Sequence, residues 1–226
     1  MSVCEQCGEE KNNLGNHWRL SSDCEYPSFD WKQSSVLTGV LMGDGTLDRS
    51  GANSRIKVEM VNEAYLDYID SLLGNLSNGV ELIQTSEESA KRMRESGFRP
   101  DARGENYQNV YKLTTRRHPK LNDFDCWYNS GEKVIPELEL TPTILKHWYV
   151  CDGHLAERDN TRPSVVFGIT NEYEHSDKLE QMFIEQGLDA NATKSKNLSI
   201  GVDHTEKFFE FIGEPVDGFK YKWPNY

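Results

Sequence analysis

Leu37-Thr38-Gly39-Val40-Leu41-Met42-Gly43-Asp44-Gly45 is the stretch on which the reading of this chain turns. Leu37, Val40, Leu41 and Asp44 fall at i, i+3, i+4 and i+7, so they share one helical stripe. Gly39 and Gly43 sit four apart, one above the other on an adjoining stripe. Each glycine inside a helix costs about 1 kcal/mol relative to alanine. Two at that spacing make sense where a second helix backbone comes close. A weaker copy follows, Leu145-Lys146-His147-Trp148-Tyr149-Val150-Cys151-Asp152-Gly153. It has Cys151 at the Gly43 position and the larger His147 at the Gly39 position, so its packing face is less ideal. From Asp44 to Asp152 is 108 positions, a sensible length for one repeat unit.

The ends of the two helices carry chemistry. Gly45 and Gly153 are expected to take the left-handed conformation that closes a helix. Asp44 and Asp152 then lie in the last turn, beside carbonyl oxygens without an intrahelical partner. A carboxylate is disfavoured there, because the helix C-terminus is partially negative. A cation at the helix end removes the conflict, and carboxylate and carbonyl oxygens are the hard ligands that Mg²⁺ prefers. One Asp-Gly alone reads as a turn after a buried helix. Two copies at repeat spacing, each with a small residue before the aspartate, read as two acidic oxygen clusters held side by side.

The first stretch resembles the LAGLIDADG motif of homing endonucleases, aligned from Leu37 to Gly45. It departs from the motif at several places, among them Met42, where the motif name has an Asp. The second copy lies in a longer run, Trp127-Tyr128, Lys133-Val134-Ile135-Pro136, Leu140-Thr141-Pro142, Trp148-Tyr149 and Asp152-Gly153. That run is similar to the second half of single-chain, two-repeat members. The resemblance spans residues 34 to 212.

It implies two pseudo-symmetric αββαββα repeats, with the motif helices at their interface and antiparallel sheets forming a saddle over DNA. It also implies cleavage of both strands of double-stranded DNA at a long, near-unique target, dependent on Mg²⁺ or another divalent ion. Asp44 and Asp152 would be the catalytic residues and metal ligands, one per strand, helped by the backbone carbonyls of Gly43 and Cys151. The expected state is a monomer with an internal pseudo-two-fold axis. The rival is a non-catalytic DNA- or RNA-binding protein, a maturase or regulator, on the same scaffold; the presence of both aspartates argues for activity. A plain zinc-stabilised interaction domain leaves the paired Asp-Gly ends unexplained.

The 226 residues suffice for one large or two small domains. No apolar run is long enough for a membrane span, and no basic-then-apolar leader opens the chain. A soluble, cytoplasmic protein is expected. The formal net charge of −12, from 37 acidic and 25 basic residues, has the wrong sign for an ordinary DNA-binding protein. Either the chain avoids nucleic acid, or acidic residues cover an outer surface while basic ones gather on one face. The acidic excess also fits a halophilic host, in which salt would weaken phosphate contacts.

Cys4, Cys7, His17 and Cys24 give the spacing C-x2-C-x9-H-x6-C. Two thiolates on a tight turn with two further soft ligands suit tetrahedral zinc. A segment this short, with few large apolar residues, needs a staple to fold, and disulfides are disfavoured inside a cell. A structural Zn²⁺ finger, serving as an accessory DNA contact, is the favoured reading. A disordered tail with incidental cysteines and a redox C-x-x-C are the alternatives.

Between these landmarks the chain alternates helix and hairpin, so its sheets should be antiparallel and its class α+β. Arg55 and Lys57 lie on the charged face of one strand; Lys112, Thr114 and Arg116 lie on one face of another. Lys194 and Lys196 sit in a turn before Asn197 and Ser199, the polar side of a third. These nine residues are the expected DNA contacts, since such strands can enter the major groove. Lys112, Arg116, Lys194 and Lys196 are also candidates for the positive charge each cleavage site would need. Residues 86 to 106 read as a polar, mobile excursion carrying Lys91, Arg92, Arg94, Arg99 and Arg103. The tail Lys220-Tyr221-Lys222-Trp223 either docks on the core or reaches DNA. The expected divisions are a finger at 1–30, a first repeat at 31–132, and a second repeat with tail at 133–226.

Overall fold

The computed structural model describes residues 2–129, 132–156 and 162–224. Its N-terminal unit pairs two short strands, β1 (Ser2–Val3) and β2 (Glu10–Lys11), with one helix, α1 (Leu14–Leu20). Asn13 starts α1 by accepting a hydrogen bond from the Asn16 backbone N–H. Among the described residues of this unit, only Cys4, Leu14, Trp18 and Cys24 are buried, with Tyr26 packed against them.

The next helix, α2 (Trp31–Met42), opens on a reciprocal capping box between Asp30 and Gln33. Every residue from Ser35 to Met42 is buried, so this helix is covered on all sides. A hairpin of β3 (Thr46–Asp48) and β4 (Arg55–Met60) follows, then α3 (Glu63–Leu73), started by Asn62 and closed by Gly74 at φ 51°. The chain continues through β5 (Ser77–Gln84), α4 (Ser86–Glu95) and β6 (Val110–Thr115). These strands form an antiparallel sheet in the order β3-β4-β6-β5. Ile56, Val58 and Leu113 fill the core from one face. The register pairs Lys57 with Thr114 and Glu59 with Lys112 on the other.

Residues 86 to 106 are not the open excursion that their polarity suggests. Thr85 and Glu88 make a second capping box that launches α4. The cations there pair locally, Lys91 with Glu95 and Arg94 with Glu87. A polar helix that packs little apolar surface can still be held by its cap and its ion pairs.

A 3₁₀ run, Pro119–Trp127, leads to a small ribbon of β7 (Tyr128–Asn129) and β8 (Glu132–Lys133). The second motif helix, α5 (Pro142–Asp152), starts at Thr141 with proline in its first turn. Then come β9 (Gly153–Ala156), β10 (Ser164–Gly168), α6 (Ser176–Glu185), β11 (Ala190–Ala192), β12 (Asn197–Ile200) and α7 (Thr205–Ile212). The sequence predicts a strand at residues 154–158, of which 157 and 158 lie outside the described residues. The second sheet is antiparallel in the order β9-β10-β12-β11, the same first-second-fourth-third pattern as the first. One apolar core joins both sheets through α2 and α5, with Trp148, Tyr149, Phe167, Phe183 and Phe208 fully buried.

Candidate functional site

The site is set by how closely α2 and α5 approach. A Cβ on Gly39 would overlap the Ile144 carbonyl oxygen and stand 2.8 Å from the His147 Cβ. A Cβ on Gly43 would overlap the Cys151 Cβ and come within 3.5 Å of Asp152 Oδ2. Numbers rise together along both helices, so the helices are parallel and their C-terminal ends coincide. His147 and Cys151 are therefore not defects in a weaker copy: glycines on α2 leave the room that those side chains fill. Gly45 and Gly153 correct another expectation. Neither has the positive φ of a left-handed cap. They are small because a Cβ would run into the preceding turn, against Val40 O at 2.7 Å for Gly45 and against the Tyr149 ring for Gly153.

Asp44 emerges exposed one residue beyond the Gly43 cap, and Asp152 is the half-buried last residue of α5. Burial, and then the negative charge of Asp44, push the Asp152 carboxyl up to about 7. The Cys151 thiol between them is pushed up to about 12, mainly by burial, which makes it a packing group and not a nucleophile. Each helix end meets an ammonium. Lys133 Nζ donates to the carbonyl oxygens of Met42 (2.9 Å) and Gly43 (3.5 Å) and pairs with buried Glu172 at 3.3 Å. Lys222 Nζ donates to those of Val150 and Gly153, both at 2.7 Å. A cation beside the last carbonyls complements the helix dipole. The tail carrying Lys222 docks on the core: Tyr149 Oη donates to Lys222 O at 2.6 Å, and buried Trp223 donates to Gly213 O at 2.9 Å. Two carboxylates with adjacent backbone carbonyls form an all-oxygen donor set, which fits a hard divalent cation.

Residues 34–208 match the LAGLIDADG DNA endonuclease family. The chain belongs to that family. Its fold is similar to the homing endonuclease I-WcaI bound to its DNA recognition sequence, with a TM-score of 0.72 and 14% identity over 96% of this chain and 95% of that one. Weaker likenesses are the N-terminal LAGLIDADG domain of DUF199/WhiA (TM-score 0.48, 14% identity, 84% and 87% of the two chains) and I-SmaMI bound to uncleaved DNA target in the presence of calcium ions (0.41, 11%, 81% and 85%). No curated protein sequence matches it.

Around the LAGLIDADG helices, the expected DNA contacts divide between two sheets. Arg55, Lys57, Lys112 and Thr114 share the outer face of the first, and Arg116 follows the end of β6, with Nε on Asn75 O. Three cations there already hold carboxylates: Arg55 and Lys57 pair with Asp48, and Lys112 pairs with Glu81. Asn197 and Ser199 face outward on the second sheet, opposite Gly168 and Val166, and Lys194 and Lys196 occupy the β11–β12 turn. At the aspartates themselves the structure places Lys133 and Lys222, which sequence reasoning did not select. Their only signal in the sequence is a lysine in each run that borders the second repeat, and their carbonyl partners lie about 70 to 90 positions away.

The N-terminal ligands also come together. One ligand atom each from Cys4, Cys7, His17 and Cys24 lies within 4.8 Å of all the others, so the segment fits a zinc-finger-like unit. Backbone N–H groups of Cys7 and Gln6 pull the Cys4 thiol down to about 6, favouring the thiolate that a metal would bind.

Proposed function

We propose that this chain is a site-specific double-strand DNA endonuclease, in which Asp44 acts on one strand and Asp152 on the other. The observation that carries the reading is the coincidence of the α2 and α5 C-terminal ends, which puts two carboxylates and two ammonium groups at one place. Asp44 and Asp152, with the carbonyls of Gly43 and Cys151, would hold divalent cations. Such an ion, when bound, activates water and stabilises the leaving oxygen. Lys133 and Lys222 sit where positive charge offsets the negative charge that develops on a phosphate in flight. Their partners hold them there before substrate arrives, so little reorganisation is needed.

The outer faces of the two sheets would lie along the duplex. Arg55, Lys57, Lys112, Thr114 and Arg116 would serve one half-site, and Lys194, Lys196, Asn197 and Ser199 the other. We divide the chain accordingly into a finger (1–30), a first repeat (31–132) and a second repeat with tail (133–226), acting as a monomer. The Cys4-Cys7-His17-Cys24 cluster would hold a structural zinc ion.

The test is a pair of substitutions, Asp44→Asn and Asp152→Asn, assayed on a duplex enriched from a randomised library by the wild-type protein. Each single variant is expected to bind as the wild type does and to nick supercoiled target; the double variant is expected to bind and not cut. Undiminished double-strand cutting by either variant would refute the assignment. Binding by the wild type, with no scission in Mg²⁺, Mn²⁺ or Co²⁺, would leave a recognition protein on this scaffold.

A further inference from the structure

The finger does not hang from the first repeat; it is locked to it. Asn53 donates to Tyr26 Oη at 3.1 Å, and the Tyr26 ring meets the edge of the His118 ring. His118 Nε2 bonds Pro27 O at 3.1 Å while its ring stacks on Phe29. Between α1 and the first sheet this docking leaves an open cleft of about 360 Å³.

The lining of that cleft is basic and polar. It contains Arg19 from α1, Arg55 from β4, and Arg116 and Arg117 after β6, and no aspartate or glutamate among the described residues. The chain as a whole has a net charge of −12, so four arginines without a lining acid are a local reversal of sign. Asparagines complete the lining, among them Asn16 on the finger and Asn78 on β5. Guanidinium and carboxamide groups are the side chains that bond phosphates and base edges. Asp48 holds Arg55 through Nε, which fixes its direction without taking its terminal N–H groups, whereas Arg117 gives its terminal N–H groups to Asp48, Ser50 and Asn53 and so braces the cleft wall. Among the described residues, Arg19 bonds only the Asn16 side chain.

Position adds the function. The cleft lies at the end of the sheet where β3 turns into β4, and β3 starts beside Asp44. At about 3.3 Å per residue, Asp48 is roughly 13 Å along the strand from Asp44, and the cleft lies beyond it. A duplex on the outer face of the sheet, with its scissile centre over the aspartates, would reach the cleft only at its outer end.

We propose that the cleft between the finger and the first sheet is an additional duplex-DNA subsite, which lengthens the recognised target at the first-repeat end and makes it asymmetric. The inference rests on the duplex-binding reading above. Asn16 and Arg19 supply the new contacts, Arg55 and Arg116 are shared with the sheet, and Arg117 shapes the wall between them.

Zinc-loaded full-length protein with Ca²⁺ in place of Mg²⁺ would be used to select duplexes from a randomised library. The selection would be repeated with Arg19→Ala and with Asn16→Ala/Arg19→Ala. Both residues are exposed, and unchanged zinc content would show that the finger is intact. The variants are expected to lose base preference, or to bind about tenfold more weakly, through positions at one outer end alone, with the centre and the other end unchanged. A variant site of the same length, bound as tightly as by the wild type, would overturn the subsite and leave the nuclease reading standing. Enrichment of no duplex by the wild type would overturn both.

Discussion

Gly39 of α2 lies against His147 of α5 so closely that a Cβ on the glycine would stand 2.8 Å from the histidine Cβ and overlap the Ile144 carbonyl oxygen. The obstruction is backbone and cannot swing aside. Alanine returns about 1 kcal/mol of helix propensity, but overpacking costs up to about 3 kcal/mol. Gly39→Ala should therefore lower the unfolding free energy in urea by about 2 kcal/mol. A midpoint at or above that of the wild type would mean that the helices are not in this contact.

The two lysines at the helix ends are alike in position and unlike in support. Lys133 is shared between carbonyls and Glu172, whereas Lys222 has two carbonyls and arrives on the tail. Lys222→Met should cost about 1 kcal/mol of stability, the usual scale of a cation at a helix C-terminus, and Lys133→Met about 3 kcal/mol, because it leaves Glu172 buried without its counter-charge. The sharper effect should be on strand scission. Each variant should accumulate a nicked intermediate, one on each strand, with target affinity within about twofold of the wild type. Equal loss of both cuts with retained binding would show that the lysines do not work one to a strand.

His147 sits buried between the repeats with Nδ1 2.7 Å from Tyr65 Oη. Burial, and then the charge of Lys146, bring its pKa down to about 3 from an ordinary 6.5. The folded protein thus holds fewer protons than the unfolded chain between these two values. Stability contributed by the neutral ring is complete above about 6.5 and is lost as pH falls toward 3, at up to about 1.4 kcal/mol per pH unit. His147→Gln should flatten that slope in urea titrations across the window, even if it is less stable at neutral pH. Parallel slopes for the two proteins would count against a buried neutral histidine.

The finger should depend on its metal. With Cys4, Leu14, Trp18 and Cys24 as the buried core among its described residues, it has too little apolar surface to fold unaided. A zinc chelator should shift the fluorescence of Trp18 and expose α1 to protease, while the protected core spanning α2 and α5 stays folded. Cys24→Ser should do the same without chelator. A finger that keeps its Trp18 signal after metal removal would return the segment to a role that needs no metal.

Much of this was legible because it is local. The i, i+3, i+4 stripe of Leu37, Val40 and Leu41, the alternation of Arg55, Ile56, Lys57 and Val58, and the Asn62 and Thr141 caps each report their element within a few residues. The glycines at 39 and 43 announced a close helix partner. What stayed hidden depends on distant chain. His147 looks like a poor residue for a packing face until Gly39 is set opposite it. Lys133 and Lys222 are ordinary lysines until the carbonyls of another helix turn are brought to them. The α4 helix is a different case: Thr85-x-x-Glu88 is a local capping signal, but the polar residues after it carry no apolar stripe to show the helix that it starts.

Asp48 offers a last test, one in which stability and binding should move in opposite directions. The Ser50 hydroxyl and backbone N–H, then Arg55 and Arg117, hold its carboxyl well below the usual carboxylate range. The side chain is largely buried while its cationic partners are about one-third exposed, so part of the ion pairing is screened. Since the folded value is depressed, the stabilisation is complete above the ordinary carboxylate range and is lost as pH falls through the lower folded value. Asp48→Asn should cost about 1–2 kcal/mol near neutral pH, and the gap to the wild type should close in strong acid. The same substitution releases Arg55 and Lys57 on the outer face, while Arg117 keeps its bonds to the carbonyls of residues 48 and 53 and to Ser50 Oγ. Duplex binding should tighten at low salt, and the plot of log K against log salt should steepen, as more counterions leave the DNA. A shallower salt slope in the variant would mean that these cations do not face phosphate.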